Sequence, residues 1–299
     1  VRFLGQGVSF SPVFLGLALL FSQGCARPVL QTFPASDIEI VAVEKAFVRF
    51  QEVGGQLCSP CLDAEADVAL SVAGWFGDHT GKFSGYLQAM QPGYIKFVTL
   101  NPLGQPLFIF VTDGRLFKGF NVFAGKAYLG SVLSRTYREY APPGLVPEYS
   151  YYWLTGRLEP GEPEIRAVMR DREPGKFWLQ IHSANENSDS MVLFDPEDLT
   201  ILRRVFLNGQ GEHLADIRYG DYRGLSGPAE TSAGNATRNP ADPDEDRQPC
   251  KVPASISVSS RTAAGQIDIK LSAFLEDALL SAEDFHLAVP ENFEQLLVK

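Results

Sequence analysis

Two cysteines three positions apart, Cys58 and Cys61, are the residues whose spacing most directly offers chemistry. C-x-x-C suits thiol–disulfide exchange: one thiolate attacks a disulfide and the second resolves the mixed intermediate. That reading needs a strand before the motif and a helix starting at its first cysteine. The flanks differ, with Gly54-Gly55 before the pair and Asp63, Glu65 and Asp67 after it. A zinc site would need two more ligands at matched spacing, and only Cys250 and the scattered His79, His182, His213 and His286 remain. No histidine follows Cys61, which removes c-type haem attachment. The pair is therefore read as a local Cys58–Cys61 disulfide tying a loop, with Cys250 free or competing for one partner. Thiol exchange stays as the alternative. Asp195, Glu197 and Asp198 also cluster, but around Pro196 they read as a solvated turn and not as an acid–base pair. G-x-S-x-G, H-E-x-x-H and P-loop motifs are absent from the sequence. The expectation is a protein that is not an enzyme, with no metal and no cofactor.

A third kind of chemistry is offered by Cys25. Arg2 gives a positive start, Phe10 to Phe21 an apolar run too short to span a bilayer, and Ser22-Gln23-Gly24 small and polar residues just before the cysteine. This layout resembles a bacterial lipoprotein signal, with an ordinary secretory signal as the alternative. The resemblance implies cleavage after residue 24 and lipidation of Cys25, and places the mature chain outside the cytoplasm on a membrane face. Ala26, where an aspartate would stand in an inner-membrane lipoprotein, implies the outer membrane. One acyl chain binds a bilayer reversibly, and more than one holds it.

The elements that must position these residues follow from patterning. Residues 25–36, with Pro28 and Pro34, read as a tether. A single domain is expected over 37–299. Its first element is a helix N-capped by Asp37, with Ile40, Val43, Phe47 and Phe50 on one face and a stop at Gly54-Gly55. Alternating strands follow: Val68 to Phe76 and Lys82 to Met90 as a hairpin around Gly77 to Gly81, then Tyr94 to Leu100, Gln105 to Thr112, Arg115 to Val122 and a short one at 126–129. Helices are expected from 130 to about 140 and from Glu148 to Leu154. A second run of strands covers 165–219. Residues 224–249, rich in Pro, Gly, Asn and Asp, read as a disordered insertion. Strands resume at 254–260 and 266–274, and a short terminal element at 293–298. Helices interrupting two antiparallel meanders give an α+β fold: a half-open antiparallel β-barrel with helices covering its concave face. A sheet that curls without closing leaves an apolar hollow. Candidates to line it are Phe47, Phe50, Trp75, Phe83, Phe97, Phe108, Phe110 and Trp153, each of which reads equally well as plain core. The net charge of -10 argues against nucleic acid as a partner.

Three short motifs carry a family resemblance. Thr99-Leu100-Asn101-Pro102-Leu103-Gly104, at the end of a strand after an aromatic-rich hairpin, resembles a segment of the LolB family of outer-membrane lipoprotein receptors. Tyr152-Trp153-Leu154-Thr155-Gly156-Arg157-Leu158-Glu159-Pro160-Gly161 is similar to that family's W-x-L-G-L-P segment, and Tyr219-Gly220-Asp221-Tyr222 to its later Y-x-x-Y stretch. The resemblance spans residues 37–223. It implies a cavity for acyl chains of lipoproteins or lipids, a membrane as partner, a periplasmic carrier protein handing over the cargo, and delivery at the periplasmic face of the outer membrane. It also implies that Leu103 is an outward-pointing leucine that engages the membrane. A module that binds or senses a hydrophobic ligand on the same fold is the alternative. The longer chain, the C-x-x-C pair and the 224–249 segment depart from the family pattern.

Overall fold

The computed structural model describes residues 30–56, 58–74, 77–140, 146–161, 163–183, 188–225, 250–260, 265–275 and 278–299. The signal, Cys25, Trp75 and residues 226–249 lie outside the described residues.

Helix α1 spans Asp37–Gln56. Its cap is Ser36 and not Asp37. The Ser36 backbone N–H donates to Glu39 Oε2 at 2.7 Å, and the Glu39 N–H donates back to Ser36 Oγ at 3.4 Å, a reciprocal box that satisfies two otherwise orphaned donors. These hydrogen bonds hold the Glu39 carboxyl below the usual carboxylate range. Val43, Phe47 and Phe50, spaced four and three residues apart, form the buried stripe. The helix continues to Gln56 through both glycines expected to stop it.

Beyond α1 the chain is mostly strand. The first meander comprises β2 (Cys61–Gly74), β3 (Gly77–Met90), β4 (Tyr94–Leu100), β5 (Pro106–Thr112), β6 (Leu116–Asn121) and β7 (Lys126–Ser131). Helices α2 (Arg135–Tyr140) and α3 (Ser150–Leu154) then cross to the other end of the sheet. The second meander comprises β8 (Glu164–Asp171), β9 (Phe177–Ser183), β10 (Ser188–Asp195), β11 (Thr200–Leu207), β12 (His213–Leu225), β13 (Cys250–Ser260) and β14 (Gly265–Ser272). The meanders meet where β14 pairs antiparallel with β2, Gly265 opposite Val72 and Ser272 opposite Glu65. Two short strands finish the edges: β1 (Thr32–Pro34) on β8, and β15 (Glu294–Val298), the one parallel pairing among the described residues, on β7. The result is one 15-stranded sheet whose terminal strands, β1 and β15, do not pair with each other. It is the expected α+β architecture, an open antiparallel sheet with a few helices against it.

Several boundaries differ from expectation: β2 begins at Cys61 and not at Val68, and Gly130 and Ser131 end β7 where a helix was expected to open, the helix starting at Arg135. Gly77 to Gly81 are strand and not turn, opposite Gly74 to Leu70. A hairpin's partner strand fixes its register, so polar residues placed there extend the ladder instead of breaking it. Within the expected tether, Thr32–Pro34 pair with β8, which supplies their backbone hydrogen bonds. Gly224 and Leu225, at the start of the expected insertion, close β12 opposite Lys251 and Cys250.

Gly85 allows the first meander to fold tightly. A Cβ there would lie 1.8 Å from the Val98 carbonyl oxygen, so only glycine lets β4 cross β3 this closely. The main core fills the inner face of the second meander. Phe47 and Phe50 pack on Phe194 with ring centroids 5.5 and 5.6 Å apart, among Val192, Ile201, Ile217 and Ile256. One ion pair is buried in it: Arg204 makes two hydrogen bonds to Glu159, at 2.7 and 2.8 Å. Burial alone would raise the Glu159 carboxyl, but the Arg204 guanidinium outweighs it and holds the group below its ordinary value. A second cluster sits on the outer face of the first meander, where Val111, Phe120 and Ala127 are covered by Leu287, Val289 and Phe293 of the C-terminal segment. Lys118 Nζ pins that segment through the Leu287 carbonyl at 2.7 Å.

Candidate functional site: an apolar cavity and its rim

Where α1 fills the second meander, the inner face of the first is left partly uncovered. Pairing fixes which side chains point there. Phe97 faces Phe110, and Thr112 faces Phe117 across β5 and β6, so alternate residues of β4 to β7 share the inner face. Between them and the short helices lies a cavity of about 490 Å³. Its walls are Ile95, Phe110, Phe117 and Tyr128 from the first meander, Val258 and Ile267 from β13 and β14, and Val298 from β15. Tyr137 of α2, Pro147 and Trp153 of α3 close the remaining side.

Among the described residues, the lining contains no Asp, Glu, Lys, Arg or His. Its three aliphatic hydroxyls are already engaged. Thr112 Oγ1 donates to the Leu116 carbonyl at 2.8 Å, Thr136 Oγ1 to the Lys299 carbonyl at 2.7 Å, and Ser150 Oγ to the Pro147 carbonyl at 2.8 Å. Their hydroxyl protons are spent on the protein's own backbone, so these three residues offer a ligand mainly methyl and methylene surface. Phe110, Phe117 and Tyr137 form a ring ladder with centroid spacings of 6.1 and 5.3 Å. Burial pushes the Tyr137 hydroxyl pKa up, keeping it neutral. Phe117 can lean across β7 because residue 130 is glycine: a Cβ there would come within 2.9 Å of the Phe117 ring. The volume lies within the range of about 300–1,000 Å³ typical of small-molecule sites.

Arg157 ties α3, one of the helices that close this cavity, to the end of α1. Its guanidinium is buried, donates to Cys250 Sγ at 2.8 Å and to the Gly54 carbonyl near the end of α1 at 3.4 Å, and contacts the Tyr151 hydroxyl of α3 at 3.3 Å. Burial lowers its pKa, opposed by Tyr151. Tyr151 in turn donates to the Ser59 carbonyl. Gly156, at φ 67°, rests against the Tyr222 hydroxyl, where a Cβ would come within 2.7 Å. Two of the sequence motifs, 152–161 and 219–222, therefore meet in space.

The same region corrects the cysteine pairing. Cys58 is bonded to Cys250, with Cα atoms 5.1 Å apart, and Cys61 is the free thiol. Cys61 opens β2 and directs its sulfur to the Leu280 carbonyl, 3.8 Å away, while Cys58 lies in the link after α1 beside the start of β13. The sheet thus brings together two cysteines 192 residues apart and separates the functions of the adjacent two. A C-x-x-C dithiol is not formed, and β2 stands where an exchanger would need a helix. Among the described residues, no group of three or more His, Cys, Asp and Glu could hold a metal ion. Asp195 is buried and accepts from the backbone N–H groups of Glu197 and Asp198 at 3.0 and 3.2 Å, closing its own turn, and it also pairs with Lys176.

Of the aromatic candidates, Phe110 and Trp153 line the cavity. Phe47 and Phe50 do not; they are core, because α1 inserts its stripe directly against Phe194. Phe97 packs on the same core, Phe83 borders a surface groove beneath the 101–104 turn, and Phe108 is partly exposed near the end of β5. Phe117, Tyr128, Tyr137, Ile95, Ile267, Val258 and Val298 were not singled out by sequence. The alternation of β6 and β7 marks Phe117 and Tyr128 as facing one side, but only strand order shows what they face.

Leu103 sits at the tip of the β4–β5 turn and is 84% exposed. Asn101 builds the turn: its Oδ1 accepts from the N–H groups of Leu103 and Gln105, both at 2.9 Å, and Gly104 supplies φ 78°. The side chain has no core to fold onto.

The sequence matches no family profile and no curated protein. Several solved structures are similar in shape at low identity. A LolA superfamily protein from Nitrosomonas europaea is 9% identical, with 82% of this chain and 97% of that one covered, at a TM-score of 0.49. A DUF1329 family protein from Desulfovibrio piger is 12% identical, with coverage of 83% and 97% and a TM-score of 0.49. A domain named for outer-membrane lipoprotein sorting, from Vibrio parahaemolyticus, is 13% identical, with coverage of 81% and 97% and a TM-score of 0.48.

Proposed function

We propose that this chain is a lipid-anchored carrier that holds acyl chains of lipoproteins or lipids in the cavity beneath α2 and α3 and helps deliver them at the periplasmic face of the outer membrane. The observation that supports this most is the cavity wall, which among the described residues has no charged member and has its three aliphatic hydroxyls tied to backbone carbonyls. A wall made mostly of hydrocarbon and ring surface favours a flexible acyl chain, at about 0.8 kcal/mol per buried methylene. Lipidation at Cys25 keeps the carrier on the membrane. The exposed Leu103 turn touches the bilayer at release, and a periplasmic carrier protein supplies the cargo. Native mass spectrometry of the purified protein, before and after delipidation with palmitate added back, tests the cavity. One acyl-bearing molecule per chain is expected. A delipidated protein that does not take up palmitate would sink the proposal.

A further inference from the structure

The turn between β6 and β7 carries the most exposed large aromatic among the described residues: Phe123 is 94% exposed. Its turn is built like the one that carries Leu103. Each opens with an asparagine whose Oδ1 clamps the backbone beyond it: Asn101 on the Leu103 and Gln105 N–H groups, and Asn121 on the Ala124 N–H at 2.9 Å. Each also contains a glycine at positive φ, Gly104 at 78° and Gly125 at 61°. Both apolar tips are thus held outward by a closed local network.

The two turns lie at the same end of the sheet. Phe108 of β5 is paired with both Thr99 of β4 and Asn121 of β6, and the Val122 N–H donates to the Leu107 carbonyl at 3.0 Å. Two inter-strand steps separate the tips laterally, about 10 Å. Neither 101–107 (Asn-Pro-Leu-Gly-Gln-Pro-Leu) nor 121–125 (Asn-Val-Phe-Ala-Gly) contains a charged residue, in a chain with 62 of them (26 basic and 36 acidic). The nearest charge in sequence to Phe123, Lys126, is 3.5 Å from Glu294 and so is paired. Leu107 and Phe108, both partly exposed, lie between the turns. Charged residues stand beside the turns: Glu65, Asp67 and Lys82 along the groove below the first, and Glu294, whose N–H donates to the Gly125 carbonyl at 2.8 Å, beside the second. The tips themselves are apolar and held outward, which suits insertion into the hydrocarbon of a bilayer with the charges left at its polar surface.

We infer that Phe123 inserts into the lipid bilayer beside Leu103, so that the carrier meets the membrane through two points and in one orientation. This rests on the membrane-engaging role proposed for Leu103. A single tip leaves the body free to rotate about it. Two tips about 10 Å apart fix the direction in which β4 to β7, and the cavity on their inner face, are presented to the lipid.

The test uses the full lipidated chain in phosphatidylcholine vesicles, with Phe123→Trp and Leu103→Trp made separately and the parent chain's own tryptophans subtracted. The readout is quenching by lipids brominated on the acyl chain, which requires the introduced indole to sit among the chains whatever else holds the protein to the vesicle. Quenching in both variants is expected. Quenching in the Leu103 variant alone overturns this inference and leaves the single-tip reading standing. Quenching in the Phe123 variant alone, or in neither, overturns the paired contact together with the role proposed for Leu103. Both tips are exposed, so thermal unfolding of both variants should match the parent.

Discussion

The two meanders are built from similar material and end differently. Both present aromatic and branched side chains on the inner face. Over β8 to β13, α1 lays Val43, Phe47 and Phe50 onto Phe194 and the space is filled. Over β4 to β7 the cover is α2 and α3, of six and five residues, with a short 3-10 turn before α3. Helices this short present about one turn each to the sheet, too little to reach every inward side chain, and the volume left over is the cavity. Whether an apolar inner face becomes packed core or lines a cavity is decided by the length of the helix opposite it, more than by the face itself.

Equal truncations on the two sides give the largest expected contrast. Phe47→Ala removes a ring that is 1% exposed and tightly packed. It should cost about 3–5 kcal/mol and lower the unfolding midpoint on the order of 10 °C. Phe110→Ala removes a ring that already faces unfilled space. It should cost about 1–2 kcal/mol and lower palmitate affinity about tenfold, whereas Phe47→Ala leaves the affinity of the folded fraction unchanged. Calorimetric unfolding with palmitate titration reads both quantities. Equal stability losses would mean that the cavity is closed in solution and the contrast between the halves is wrong.

The disulfide lies at the seam, linking the end of α1 to β13 under Arg157. Replacing Cys58 and Cys250 together with serine should destabilise the chain by about 2–5 kcal/mol, mainly by freeing the unfolded state. Thiol counting on the unreduced protein should find Cys61 reactive and Cys58 and Cys250 not. A native Cys58–Cys61 bridge in that assay would restore the local pairing.

What the sequence made legible follows the same division. Local periodicity marked nearly every strand, and β4 to the residue, because alternation is written in neighbouring positions. It also marked the α1 stripe, yet Phe47 and Phe50 were read as cavity candidates, since an inward phenylalanine has the same signature over a packed or an empty space. Val298 joins the cavity only because β15 pairs in parallel with β7, and Cys250 meets Cys58 only because β12 and β13 bring it back beside α1. Neither is encoded locally. The 77–81 segment misled for a related reason: its composition is that of a turn, and its conformation is set by the partner strand.

The smallest expected effect on stability, with a large one on function, is at Leu103, outside both halves of the comparison. The side chain touches no core, and the turn is held by Asn101 and Gly104 without it. Leu103→Glu should therefore leave the unfolding midpoint within a degree or two, as exposed substitutions usually stay within about 0.5 kcal/mol. Palmitate binding should also be unchanged, because the residue is not part of the cavity wall. What changes is the transfer of cargo to liposomes. Moving a leucine from water into hydrocarbon gains about 1.5–3 kcal/mol, and a carboxylate at the same tip forfeits that gain and adds a desolvation cost. Transfer should slow at least about tenfold while uptake is intact. Loss of uptake together with transfer would place Leu103 on the path into the cavity. Normal transfer would leave the turn without a role in delivery, whatever the cavity binds.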